Sequence, residues 1–142
     1  HFKNFTFLAD FAHNPHGLRL LCDFISKLDY KSKIGVISGT GDRRDEDIRE
    51  LGEISALCFD EIIIRCDKNL RGRSADEIIA LLKEGIDKVN PTLPTKVIAN
   101  ENEALEYIYA NPVHGALYTI MCDVVAGALD KIKELKARED NA

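Results

Sequence analysis

Short runs of β-branched and aromatic residues alternate along this chain with longer stretches in which apolar residues return every three or four positions. The first pattern predicts strands and the second predicts amphipathic helices, because side chains alternate across a strand but share one helix face at that spacing. Strands are predicted at residues 5–12, 33–38, 61–66, 95–99 and 116–122, and helices at 15–28, 45–58, 75–89, 101–110 and 123–136. Regular alternation of the two is the pattern of βαβ units, which build a parallel sheet with helices on its faces. The run Ile62-Ile-Ile64 carries no polar alternation, which predicts burial on both sides near the middle of the sheet. The expected fold is therefore α/β: a three-layer, Rossmann-like domain with a mainly parallel sheet of about five or six strands flanked by helices. Residues 1–142 read as one such domain.

Local signals support the helix starts. Pro15 suits a first helical turn, where its missing N–H has no intrahelical partner to lose. Ser74 followed by Glu77 predicts a capping box. Asn90-Pro-Thr-Leu-Pro94 reads as a connection into the fourth strand, and residues 130–140 read as a solvated helix face and a frayed terminus. Tyr107, Tyr109 and His114 are read as structural.

Composition narrows the function. A net charge of -5 argues against a broad nucleic-acid surface. No apolar run approaches the roughly 20 residues that span a bilayer, so no membrane segment is expected. Cys22, Cys58, Cys66 and Cys122 lie singly in apolar segments without CxxC spacing, which predicts reduced thiols and a cytoplasmic location rather than a zinc site. The chain opens at His1 with a predicted strand almost at once, and is expected to be a fragment with sequence removed upstream.

Ligands of an open parallel sheet bind beyond the carboxyl ends of its strands. Three predicted strands are followed by unusually polar segments: Asp10-Phe-Ala-His-Asn-Pro-His16, Gly39-Thr-Gly-Asp-Arg-Arg-Asp-Glu-Asp47 and Asp67-Lys-Asn-Leu-Arg-Gly-Arg73. Asp10, His13 and Asn14 enter a helix N-terminus, where backbone donors attract phosphate or carboxylate. A plain cap and an ordered turn fit those residues equally well. His13 and His16 lack a third ligand, so no metal site is expected. The second segment offers glycine-freed amides and the Arg43 and Arg44 guanidinium groups, but not the GxxxxGK[ST] spacing of a P-loop. Its alternative reading is a capped helix whose Asp45, Glu46 and Asp47 pair with those arginines. The third ends in Arg71-Gly-Arg73, suited to gripping a carboxylate or phosphate bidentately; a solvated loop is its alternative.

Taken in order, Asp10-Phe-Ala-His-Asn-Pro15, Gly41-Asp-Arg-Arg-Asp-Glu-Asp-Ile48, Leu51-Gly-Glu53, Phe59-Asp-Glu-Ile-Ile-Ile64 and Leu70-Arg-Gly-Arg73 resemble the C-terminal domain of the Mur ligase family. Within that family they are most similar to the cyanophycin synthetases, and the likeness covers nearly the whole chain. The resemblance implies a part of a multidomain ATP-dependent carboxylate–amine ligase that works through an acyl phosphate. ATP and Mg2+ would be bound mainly by an absent central domain, over which this one closes; the fragment alone is expected to be inactive, with no catalytic residue of its own. By the same resemblance Asp10 contacts the nucleotide ribose, with His13 and Asn14 near the nucleotide or the interdomain hinge. Arg43, Asp67, Asn69, Arg71 and Arg73 face the incoming amino acid or peptide. The parent enzyme is a candidate homo-oligomer. Cys66 and Asn69 stand where the cyanophycin pattern carries acids, which leaves the added amino acid open. The alternatives are a ligase of peptidoglycan precursors or of folate-linked glutamate chains, and, from another class, a non-catalytic α/β ligand-binding module.

Overall fold

The computed structural model of the chain describes residues 2–10, 15–38, 44–65, 74–98, 100–121 and 125–141, the side chains of 125 and 126 excepted. Strand and helix alternate throughout them: β1 (Phe5–Asp10), α1 (Pro15–Ser26), β2 (Ser32–Ile37), α2 (Asp45–Cys58), β3 (Glu61–Arg65), α3 (Ala75–Val89), β4 (Thr95–Ile98), α4 (Glu101–Ala110), β5 (Ala116–Met121) and α5 (Val125–Asp140). The strands form one sheet in the order β1-β5-β2-β3-β4. Every neighbouring pair is parallel.

The apolar runs explain the layering. Ile62 and Ile64 point to one face and Ile63 to the other, and all three are buried. On the first face Leu18, Ile25, Ile48, Leu51, Leu82 and Ile86 from α1, α2 and α3 close over Ile37, Ile62, Ile64 and Leu117. On the second, Leu105, Ile108 and Leu135 from α4 and α5 close over Ile34, Val36, Ile63 and Ile120. Each fully buried Leu or Ile contributes about 1.5–3 kcal/mol, so covering both faces is the main source of stability. The short, partly exposed β4 forms one edge of the sheet and β1 the other.

Helices α2, α3 and α4 have the predicted limits. Their starts carry the chemistry: Ser74 Oγ accepts the Glu77 N–H at 3.1 Å and Asn100 Oδ1 accepts the Glu103 N–H at 2.9 Å. Helix α1 stops at Ser26 instead of running to 28, because the Lys27 and Leu28 N–H groups bond back three residues and tighten the last turn. The expectation of a frayed terminus is wrong. Helix α5 continues to Asp140, held by Arg138, which donates to Glu106 at 2.6 and 2.9 Å, and by Glu139, which accepts the Lys3 N–H at 3.1 Å.

Arg138, and then Lys131, lower the Glu106 carboxyl from 4.5 to about 2. A depressed folded-state value means that the link between α4 and α5 contributes fully above the unfolded-state value and is lost as pH falls through about 2. A carboxyl titration followed by NMR is expected to place Glu106 near 2, and Arg138→Gln to move it up toward 4.5.

Helices α2 and α3 meet backbone to backbone. A Cβ on Gly52 would lie 2.3 Å from the Leu82 carbonyl oxygen, and one on Gly85 would lie 2.0 Å from that of Arg49. Neither oxygen can rotate away, so an added methyl must push the helices apart. Alanine gains at most about 1 kcal/mol in helix propensity, whereas overpacking costs about 1–3 kcal/mol and rises when backbone is the obstacle. Gly85→Ala is expected to lower stability in urea unfolding by about 1–2 kcal/mol net. A midpoint at or above wild type would show that the contact is loose.

Candidate functional site at the carboxyl rim of the sheet

With all five strands parallel, their carboxyl ends fall on one edge, in the order Asp10, Met121, Ile37, Arg65 and Ile98. The helices that follow begin at the same edge and direct their positive ends toward it. Helices α2, α3 and α4 carry acids in their first turns, which answer that charge internally. Among the described residues the first turns of α1 and α5 carry none. These are the helices after β1 and β5, adjacent strands. They also take opposite faces, α1 packing with α2 and α5 with α4. That makes the β1/β5 boundary a switch point, the kind of place at which open parallel sheets bind ligands.

Asp10, the last residue of β1, stands at this boundary in register with Met121. It is half-buried. His13, Asn14, Arg43, Asp67, Asn69, Arg71 and Arg73 lie outside the described residues. The strand ends before them are described: β1 leads to 11–14, β2 to 39–43 and β3 to 66–73. All three segments leave from the same rim, with the ends of β1 and β3 about 14 Å apart at the usual strand spacing. Arg44 just precedes α2 and is three-quarters exposed; it pairs with Asp47 at 3.2 Å and Glu46 at 3.5 Å. For Arg44 the structure thus favours the pairing that tidies a helix start.

Arg65, at the end of β3, went unnoticed in the sequence. Its side chain is 4% exposed. Nη2 donates to the Met121 carbonyl at 2.5 Å and lies 3.6 Å from the Glu101 carboxylate in the first turn of α4. Since β2 runs between β3 and β5, the guanidinium reaches across the end of β2 to tie three elements together at the rim. The signal was present: a charge ending a run of three buried isoleucines needs a partner or it costs several kcal/mol. Among the described residues, no cluster of three or more His, Cys, Asp or Glu is arranged to hold a metal ion. No described helix is long and apolar enough to cross a membrane.

A five-stranded parallel sheet covered by helices on both faces, with Asp10 closing its first strand, defines an α/β domain of Rossmann-like architecture. The chain belongs to the Mur ligase family, since residues 1–123 match the model of the Mur ligase, glutamate ligase domain. It is 39% identical over 129 residues to the cyanophycin synthetase of Synechocystis sp., an alignment that covers 91% of this chain and 15% of that protein. The chain thus spans about one seventh of that relative's length. Among solved structures, a UDP-N-acetylmuramoyl-L-alanyl-D-glutamate–2,6-diaminopimelate ligase superposes with a TM-score of 0.78 at 18% identity, over 99% of this chain and 30% of that one. E. coli FolC in complex with ADP does so at 0.65, also at 18% identity, over 92% and 29%. These two likenesses establish the fold.

Arg65→Met keeps the length of the side chain but removes its donors, leaving the Met121 carbonyl and Glu101 without them. Loss of a charged hydrogen bond at a buried site costs about 2 kcal/mol. Denaturant unfolding is expected to show a loss of about that size. Unchanged stability would mean that the guanidinium is not a fastener of the rim.

Proposed function

We propose that this chain is the domain of an ATP-dependent carboxylate–amine ligase that closes over Mg2+-bound ATP held mainly by another part of the protein and helps bind the incoming amino acid. The observation that carries this reading is the rim. Asp10 stands at the switch point between β1 and β5, beside two helices whose described first turns carry no acid, an environment suited to a nucleotide. The Synechocystis cyanophycin synthetase supports the assignment at the level of sequence. E. coli FolC, whose structure contains ADP, supports the nucleotide only as a protein of the same fold.

In the proposed reaction a substrate carboxylate oxygen attacks the γ-phosphorus of ATP and ADP departs. The amine then attacks the carbonyl carbon of the acyl phosphate, and phosphate leaves the tetrahedral intermediate. Little of this requires a protein acid or base. It requires that charge be held in place and water kept out, which is what closure by a second domain provides. Asp10 accepts hydrogen bonds from the ribose hydroxyls, and His13 and Asn14 lie toward the nucleotide or the hinge. Arg43, Asp67, Asn69, Arg71 and Arg73 face the amino acid, where the arginines suit a carboxylate. An enzyme that consumes ATP in this way belongs in the cytoplasm.

Cys66 and Asn69 favour a second reading of the acceptor alone. They stand where the resemblance implies acids, so an amino acid other than a cationic one, as in a peptidoglycan-type ligase, fits these positions better.

The test uses the full-length protein and measures ADP release that depends on both carboxylate and amine. Asp10→Ala and Arg43→Ala are each expected to lower turnover by about tenfold or more without changing the thermal midpoint. Wild-type turnover in both variants counts against the assigned roles. Tight ATP binding by the 142-residue chain alone, seen by calorimetry, would instead favour an independent ligand-binding module.

A further inference from the structure

At the opposite edge of the sheet, α1 and α2 border a cavity of about 510 Å3 lined in part by Cys22, Tyr30, Lys33, Cys58 and Asp60. Lys33 and Asp60 fix its floor: the Asp60 N–H donates to the Lys33 carbonyl at 2.7 Å, and the Lys33 N–H to the Asp60 carboxylate at 2.9 Å. Cys22 follows buried Leu18 by one turn of α1, and Cys58 follows buried Ile54 by one turn of α2. Both thiols therefore flank apolar stripes that pack into the same core. They are free and half-buried, they line the same cavity, and each acts on the other's titration as a side-chain partner. Nothing in the proposed ligase reaction uses them.

We propose that Cys22 and Cys58 form a dithiol site that reacts with low-molecular-weight disulfides such as glutathione disulfide and closes to a Cys22–Cys58 disulfide linking α1 to α2. Both sulfurs line one cavity between packed helices, where side-chain rotation can bring them to the roughly 2 Å of a disulfide bond. The cavity admits the reagent to both sulfurs. Cys22 is the attacking group, because the Cys58 S–H donates to its thiolate and lowers its pKa, while the same bond, then burial, raises that of Cys58.

In the first step the Cys22 sulfur bonds to one sulfur of the reagent, the reagent's S–S bond breaks, and one small thiolate leaves. With Cys22 in a mixed disulfide, Cys58 no longer faces a neighbouring thiolate. It gives up its proton, Lys33 favouring the anion and Asp60 opposing it, and attacks the Cys22 sulfur to expel the second small thiolate. Two protein thiols are oxidised, one small disulfide is reduced to two thiols, and the two protons pass to the departing thiolates.

The full 142-residue chain is incubated with glutathione disulfide, alkylated and digested with trypsin. The expected product has lost two hydrogens and contains peptide 20–27 joined to peptide 50–65. In Cys58→Ser the reaction is expected to stop with one glutathione on peptide 20–27, and to be faster than glutathione addition to peptide 50–65 in Cys22→Ser. A wild-type chain that remains reduced, that keeps a stable glutathione adduct, or that links through Cys66 or Cys122 instead would overturn the proposal. So would equal or reversed rates in the two variants.

Discussion

A parallel sheet cannot stand half-covered: its strands are joined by crossovers, and its uniformly apolar runs must be buried on both sides. In this chain Ile62, Ile63 and Ile64 set that constraint at its sharpest, alternating between the faces and leaving no polar side for water. Two helical layers are therefore obligatory. Their connections bring every strand end and every following helix start to one rim. The position of the candidate site is thus a by-product of how the core is made dry, and its chemistry is added by whichever residues occupy the turns.

The rim is also braced. Arg65 places a buried positive charge where the ends of β3, β2 and β5 meet α4, and its bond to the Met121 carbonyl holds the end of β5. Met121 is also the register partner of Asp10. One peptide unit thereby connects the aspartate at the switch point to the arginine at the end of the third strand. The proposed nucleotide and amino-acid sides of the cleft share this anchor.

Much of the architecture was legible in the sequence because the local signals agreed with the global pattern. Ser74 with Glu77, and the prolines 91 and 94, punctuate the chain at points where the apolar period also changes. The end of α1 was misjudged because Leu28 continues the apolar period while the backbone has already tightened. The end of α5 was misjudged because its stability comes from Arg138 and Glu139 reaching Glu106 and Lys3, contacts that are distant in sequence. Arg65 was missed for the same reason: its partners lie 36 and 56 residues away. Asp10 could be placed at a strand end from the pattern alone. Which face each connection takes, and hence where the switch point falls, is a property of the assembled sheet that no local motif encodes.

The bare glycine contact between α2 and α3 has a mechanical side. Helix α2 follows segment 39–43 and α3 follows segment 66–73, so the two arginine-bearing stretches of the chain are each mounted on one member of a tightly joined pair. With Leu82 against Gly52 and Arg49 against Gly85, there is no compressible side-chain cushion through which one helix could slide or tilt independently. The pair is a stiff bracket. A displacement imposed on the start of either helix is transmitted to the other without slack.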